Sequence, residues 1–259
     1  MDAALAAALG VLRADPASTV LLFDFDGTLS PIVERPEDAV PGPGIVDALA
    51  SLAASYRRVG AVSGRSVAFL AEHLPAEVAL SGLYGLERRV DGTTTTHPDA
   101  GRWADVVERA ADAADRAAAT GEPLAGMVVE RKALSLTLHT RAHPELEAAS
   151  VALARHVGAE LGLEVRPAKR SVELHPPLAV DKGTAVLELA DGARGALYAG
   201  DDVGDLAAFR ALQVLARRGV RTVPVVVDGP EVPSELASLD GVHLDGQEQV
   251  LDLLLALRP

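Results

Sequence analysis

The sequence predicts an α/β protein: a doubly wound, mostly parallel sheet carrying a smaller inserted α+β unit. Two patterns lead to this expectation. Toward both ends of the chain, short unbroken apolar runs alternate with helical periodicity, as strands buried on both faces and their crossover helices require. In the middle, apolar and polar residues alternate one by one, as in a strand with one open face.

The elements follow in order. The Ala-rich start, ending near Asp15-Pro16, reads as a helix. Val20–Phe23, Val59–Val62, Val78–Leu80, Ala196–Ala199 and Val223–Val227 read as buried strands, each closed by Asp, Ser or Gly. Between them, Ile45–Ser55, Val67–Leu74, Thr184–Leu189, Leu206–Leu212 and Gln247–Leu257 read as helices. The Pro-rich stretch Pro31–Pro43 reads as the longest loop. In the middle, Arg102–Ala119 and Pro144–Leu161 read as helices, and Leu124–Glu130 and Ala133–Arg141 as strands. Leu134, Leu136 and Leu138 there alternate with Ser135, Thr137 and His139. Leu163–Arg166 and Ser171–His175 read as a hairpin turning at Pro167-Ala168. The expected division is a core of residues 1–100 and 178–259 and an inserted unit of residues 101–177.

Composition narrows the function. The 259 residues are 49% hydrophobic and 24% charged, as in soluble globular proteins of a size that buries a core. The absence of cysteine excludes disulfides and thiolate metal sites. A net charge of -13 argues against wrapping nucleic acid, which needs a basic face. No apolar run reaches the ~18 residues of a membrane span. Asp2 stands where a signal peptide would carry Lys or Arg. The expectation is a cytoplasmic protein with no membrane partner. The sequence has neither a GxxxxGK[ST] loop nor GxGxxG, so a nucleotide cofactor has no support.

The chemistry concentrates in Asp24-Phe25-Asp26-Gly27-Thr28, where an apolar run leads into two acids. In extended chain, i and i+2 point the same way. Ligands of open α/β sheets sit beyond the carboxyl ends of the strands. Gly27 and Thr28 offer backbone N–H groups to an anion. A second acidic segment, Asp201-Asp202-Val203-Gly204-Asp205, follows another apolar run. Two acids at one site are costly unless a cation shares them. Mg²⁺ suits oxygen ligands. Ser63, at a strand end, offers a hydroxyl, and Lys182, just before a helix, offers a cation. These parts support phosphoryl transfer. Asp24 would be the nucleophile and Asp26 the acid/base. His139 and His143 read as surface residues, since Pro144 ends any helix joining them.

Asp24-Phe25-Asp26-Gly27-Thr28, Ser63, Lys182 and Asp201–Asp205 resemble, in order, the four motifs of the haloacid dehalogenase superfamily. The resemblance implies its Rossmannoid core and metal ligation by Asp24, Asp26 and Asp201, with Asp202 and Asp205 supporting them from behind. The finer likeness is to the trehalose-6-phosphate phosphatase family. It rests on Asp26–Val33, Gly82–Glu87, Glu130-Arg131-Lys132, His139-Thr140-Arg141 and Lys169–Glu173. Tyr84 stands where that family has His, Gly204-Asp205-Leu206 where it often has Thr-Asp-Glu, and His175 where it often has Arg. This likeness implies a Mg²⁺-dependent hydrolysis of trehalose 6-phosphate through an aspartyl-phosphate. The inserted unit would be a cap that reads the sugar. Catalytic roles fall to Asp24, Asp26, Ser63 and Lys182. Substrate-binding roles fall to Gly27, Thr28, Arg65, Glu130, Lys132, Arg141, Lys169 and Glu173. The implied partners are a disaccharide phosphate and, functionally, a trehalose-phosphate synthase. The rival readings are a phosphatase of another sugar phosphate and an inactive binding partner of such a synthase.

Overall fold

The structure is a computed structural model and describes residues 3–119, 123–168, 170–229 and 232–259. In chain order the strands are β1 (Thr19–Phe23), β2 (Arg58–Val62), β3 (Ala79–Gly82), β4 (Glu87–Val90), β5 (Thr93–Thr96), β6 (Val128–Arg131), β7 (Leu136–His139), β8 (Glu164–Ala168), β9 (Ser171–His175), β10 (Gly195–Gly200), β11 (Arg221–Val227) and β12 (Val242–Leu244). The helices are α1 (Ala3–Arg13), α2 (Ile45–Ala53), α3 (Val67–His73), α4 (Ala104–Ala119), α5 (Glu147–Leu161), α6 (Lys182–Leu189), α7 (Leu206–Arg217), α8 (Ser234–Ala237) and α9 (Val250–Ala256). No helix among the described residues is long and apolar enough to cross a membrane.

The chain divides into two compact units. One comprises Met1–Thr95 and Val180–Pro259, the other Thr96–Ala179. The breaks lie at 95/96 and 179/180, within five residues of the expected 100/101 and 177/178, and the first falls at the end of β5, the last strand of the first unit's sheet. That sheet has eight strands in the order β12-β11-β10-β1-β2-β3-β4-β5. β1 pairs in parallel with both β10 and β2. Leu21 and Phe23 of β1 pack on one side with Leu9, Leu49, Leu70 and Leu253. Val20 and Leu22 pack on the other with Val186, Phe209 and Leu212. A strand buried on both faces has no polar alternation, which is why β1 reads as a continuous apolar run.

Three strands of this sheet escape the periodicity argument. β4 pairs antiparallel with β3, and β5 lies at the edge. The turn between them is Asp91-Gly92, with φ of 51° and 75°. This dipeptide is a strong hairpin signal, but it was masked by the charged β4 and the all-Thr β5. β12 has three residues, too short for any pattern. It pairs with β11 only from Val225 onward, so Pro224 sits where no β12 neighbour needs its missing N–H.

The second unit is a four-stranded sheet, β6-β7-β9-β8, antiparallel throughout. Leu136 and Leu138 of β7 and Val172 and Leu174 of β9 pack with α4 and α5 through Val107, Ala110, Ala154 and Val157. The hairpin does not turn at Pro167-Ala168, since both belong to β8 and pair with Val172 and Ser171. Arg170 is in a turn, and Pro167 is tolerated because β8 is an edge strand. On α4, Glu108, Asp112 and Asp115 face one guanidinium. Arg131 of β6 donates to Asp112 at 2.8 Å and Asp115 at 2.5 Å, and also to Glu108.

Candidate active site

β1 ends at Phe23, and the chain turns at once. Asp24 N–H still donates to the Ala199 carbonyl of β10 at 2.8 Å. Beyond it, the N–H groups of Thr28 and Ser30 both donate back to the Phe25 carbonyl, and Asp26 bridges Ser30. Asp26 therefore lies beyond the strand ladder, in an isolated bridge flanked by turn residues. That turn needs Gly27, whose φ is +82°. A Cβ there would lie 2.2 Å from the Asp201 carboxylate. The close approach of Asp201 to the backbone after Asp24 thus depends on glycine.

Asp24 is buried, with both oxygens engaged. Phe25 N–H donates to Oδ1 at 2.7 Å, and Lys182 Nζ lies 2.8 Å from Oδ2. Lys182 comes from the first turn of α6, which Asp181 caps through a capping box with Thr184. The same ammonium donates to Asp205 Oδ1 at 2.6 Å. Burial above all, then Asp205, pushes the Asp24 carboxyl well above its ordinary range, and Lys182 pulls the other way. Burial works against the Lys182 charge, but Asp205 and Asp24 outweigh it and hold its pKa above the ordinary value.

Asp205 is the hub of the acidic loop. It accepts from Lys182, from Tyr198 Oη at 2.5 Å, and from Asp201 N–H and Asp202 N–H, both at 2.9 Å. Gly200 makes room for it: a Cβ there would meet the Asp205 carboxylate at 2.4 Å. Sequence reasoning missed Tyr198, which sits inside β10 and looks like any apolar strand residue. Burial, then Asp205, keeps its phenol protonated.

Asp24, Asp201 and Asp205 bring carboxylate oxygens within 4.8 Å of one another. Three buried acids against one ammonium leave a negative excess that a divalent cation would offset. Asp205 is committed to its four donors. Asp24 and Asp201 are therefore the pair whose oxygens would hold a hard cation. Thr28 is fully buried, and its Oγ1 has no hydrogen-bond partner among the described residues.

The other expected residues of the first unit converge here. Ser63 follows β2, and its Oγ accepts from Arg65 N–H at 3.1 Å. Arg65 carries its guanidinium to the Asp26 carboxylate at 2.7 and 2.8 Å. Asp202 caps the short turn before α7 and accepts from Val203 N–H at 2.6 Å. Tyr84 has left-handed φ and ψ of 56° and 31°. A Cβ on Gly64 would meet its ring at 2.8 Å, and one on Gly204 at 3.6 Å. Two of the departures from the family pattern, Tyr84 and Gly204, are thus neighbours in space.

In the second unit, one row crosses the sheet on the face away from the apolar cluster. Thr137 is opposite both Glu130 and Glu173, and Glu173 is opposite Arg166. Lys132 Nζ lies 3.6 Å from Glu130 Oε2 and 4.0 Å from Glu173 Oε2. Glu173 is 1% exposed, and its Oε1, like Thr137 Oγ1, has no hydrogen-bond partner among the described residues. His139 is no ordinary surface residue: its Nε2 lies 2.7 Å from Glu130 Oε2. Diagonal reach across the strand pair brings them together, which linear spacing cannot reveal. Arg141 sits in the turn after β7. Lys169 lies outside the described residues.

Residues 22–241 match the family described as Trehalose-phosphatase. The chain belongs to that family. A trehalose-phosphate phosphatase of Mycobacterium tuberculosis (strain ATCC 25618 / H37Rv) is 33% identical over 252 residues, covering 92% of this chain and 61% of that protein. An uncharacterised glycosyl hydrolase of the same strain is 34% identical over 204 residues, covering 74% of this chain and 15% of that protein. The chain thus spans under two thirds of either relative. Among solved structures, the C-terminal domain of the Candida albicans trehalose-6-phosphate phosphatase superposes with a TM-score of 0.80 at 23% identity, covering 98% of this chain and 96% of that one. The trehalose-phosphatase match covers the Asp24–Ser30 turn, Ser63, Lys182 and the Asp201–Asp205 loop alike.

Proposed function

We propose that the protein hydrolyses trehalose 6-phosphate to trehalose and inorganic phosphate. The observation that carries the reading is the buried Asp24, held by Lys182 with Asp201 packed against Gly27, in a chain of the trehalose-phosphatase family.

Asp24 is the nucleophile. One carboxylate oxygen forms a bond to phosphorus as the bond from phosphorus to the ester oxygen breaks. Asp26 donates a proton to the departing sugar oxygen. Asp26 then takes a proton from water as that water's oxygen attacks the aspartyl-phosphate, which releases phosphate and restores Asp24. Lys182, Thr28 and Ser63 hold the phosphate oxygens. Asp24 and Asp201, with the Asp26 backbone carbonyl, would hold Mg²⁺, which supplies charge neutralisation on the transferring phosphoryl group. Asp205 and Asp202 keep that loop in place.

The polar row Glu130–Lys132–Glu173 reads the sugar hydroxyls, with Arg141 and Lys169 assisting. The support is chemical: Glu173 Oε1 and Thr137 Oγ1, buried and without a hydrogen-bond partner among the described residues, suit a ligand made of hydroxyl groups. Functional coupling to a trehalose-phosphate synthase, which makes this substrate class, belongs to the same proposal.

The test is phosphate release from trehalose 6-phosphate beside a panel of other sugar phosphates, with Mg²⁺ and with chelator. A strong preference for trehalose 6-phosphate that chelator abolishes supports the whole reading. Chelator-sensitive release spread over other esters keeps the Asp24 chemistry and discards the roles of Glu130, Lys132 and Glu173. Sugar phosphate that binds without phosphate release assigns the chain to a binding role.

A further inference from the structure

Arg65 follows β2, and three of its nitrogens are fixed. Nε lies 2.8 Å from Asp26 Oδ2 and Nη2 2.7 Å from Asp26 Oδ1. Nη1 donates to the Pro36 carbonyl at 2.8 Å. The guanidinium lies 4.7 Å over the centroid of Phe69. That ring is held in turn by His73, stacked at 4.5 Å, and by Phe25, edge-on at 5.6 Å. The Arg65 side chain is 10% exposed and that of Asp26 is 38% exposed. The fork is therefore the anchored member of the pair and the carboxylate the accessible one.

We infer that Arg65 is a positioning residue for Asp26: it fixes the plane and place of the carboxylate that passes the proton in the proposed reaction. The inference rests on the acid/base reading of Asp26. A bidentate guanidinium sets both distance and orientation of a carboxylate. It uses one lone pair on each oxygen and leaves the others for a proton or a substrate oxygen. Asp26 stands beyond the end of β1, in an isolated bridge with Ser30, so no neighbouring strand holds its side chain. Proton transfer requires hydrogen-bond reach, and misplacement by about 1 Å costs on the order of 100-fold. This role differs from direct contact with substrate phosphate.

The test compares two leaving groups. The sugar oxygen of trehalose 6-phosphate needs a proton to depart, whereas p-nitrophenolate leaves without one. In Arg65→Gln, kcat/KM for trehalose 6-phosphate is expected to fall about 100-fold or more, and that for p-nitrophenyl phosphate less than about 10-fold. Asp26→Asn should give the same asymmetry, and the double variant should be no worse than Asp26→Asn alone. Arg65→Lys keeps charge and stem but lacks the fork, and should repeat the asymmetry if Arg65→Gln fails to fold. Equal losses on both esters overturn the inference in favour of a structural role. Raised KM on both with weaker inhibition by inorganic phosphate overturns it in favour of phosphate binding. If Asp26→Asn shows no asymmetry, the acid/base reading falls and the inference with it. If the wild-type protein prefers another sugar phosphate, the substrate reading alone falls and the comparison is made with that ester. A chain inert to every ester overturns both.

Discussion

Lys182 holds its ammonium between two acids, 2.8 Å from Asp24 Oδ2 and 2.6 Å from Asp205 Oδ1. All three side chains are almost fully buried. Removing the shared cation leaves uncompensated negative charge in the interior. Lys182→Met is expected to lower unfolding stability by about 3 kcal/mol and to abolish turnover. Urea unfolding at neutral pH checks it. An unchanged midpoint would mean that the acids are screened by something other than Lys182.

Asp24→Asn is expected to abolish phosphate release while keeping the fold. Turnover above a tenth of wild type would sink the nucleophile assignment. Because the folded protein holds the Asp24 proton more tightly than the unfolded chain, near 3.8, the acid costs stability as pH rises above that value. Without metal at neutral pH, the variant should therefore be at least as stable as wild type. Mg²⁺ should raise the melting temperature of wild type and not that of the variant.

Gly27→Ala places a Cβ against the Asp201 carboxylate at a backbone φ of +82°. The protein is expected to fold, to lose most of its phosphate release and to lose the Mg²⁺-dependent rise in melting temperature. A variant as active and as responsive to Mg²⁺ as wild type would show that Asp201 does not need its seat against the turn.

His139→Gln removes the group 2.7 Å from Glu130 Oε2. KM for trehalose 6-phosphate is expected to rise severalfold, with kcat little changed, because the phosphoryl-transfer residues are untouched. An equal fall in kcat with KM constant would exclude a role in holding Glu130 for the sugar.

His243 bridges Asp228, at 2.9 Å, and the Leu239 carbonyl, at 3.0 Å. The Leu239 carbonyl first, then Asp228, raises its pKa above 6.5. A raised folded value means that the stabilisation is complete below about 6.5 and fades as pH rises through the folded value. Melting temperatures of wild type and His243→Gln should therefore differ most at mildly acidic pH and converge toward pH 9. A gap that widens with pH would contradict the imidazolium bridge.

Much of the core sheet was legible because β1, β2, β10 and β11 are buried on both faces, and such strands announce themselves as apolar runs closed by Asp, Ser or Gly. The same runs pointed to Asp24, Ser63 and Asp201, since the residues that end a parallel strand stand at the ligand-binding edge. The β4–β5 hairpin stayed hidden because β4 is mostly charged and β5 is all threonine, so neither follows a hydrophobic period. The alternation of Leu136 and Leu138 with Thr137 and His139 gave β7, but its pairing with β6 and β9 was open, since one strand's pattern does not name its neighbours.

The sequence by itself determined which side chains were available: two acids beside a Gly-Thr turn, a lysine at a helix start, and a second acidic loop. Local chemistry along the chain fixes these. Only the tertiary structure decided how they are used. It placed Arg65 on Asp26, Tyr198 on Asp205 and His139 on Glu130. Arg65 meets Asp26 through a crossover, His139 meets Glu130 through strand pairing, and Tyr198 meets Asp205 across the turn that follows β10; these distances are set by three-dimensional packing, which no hydrophobic period records.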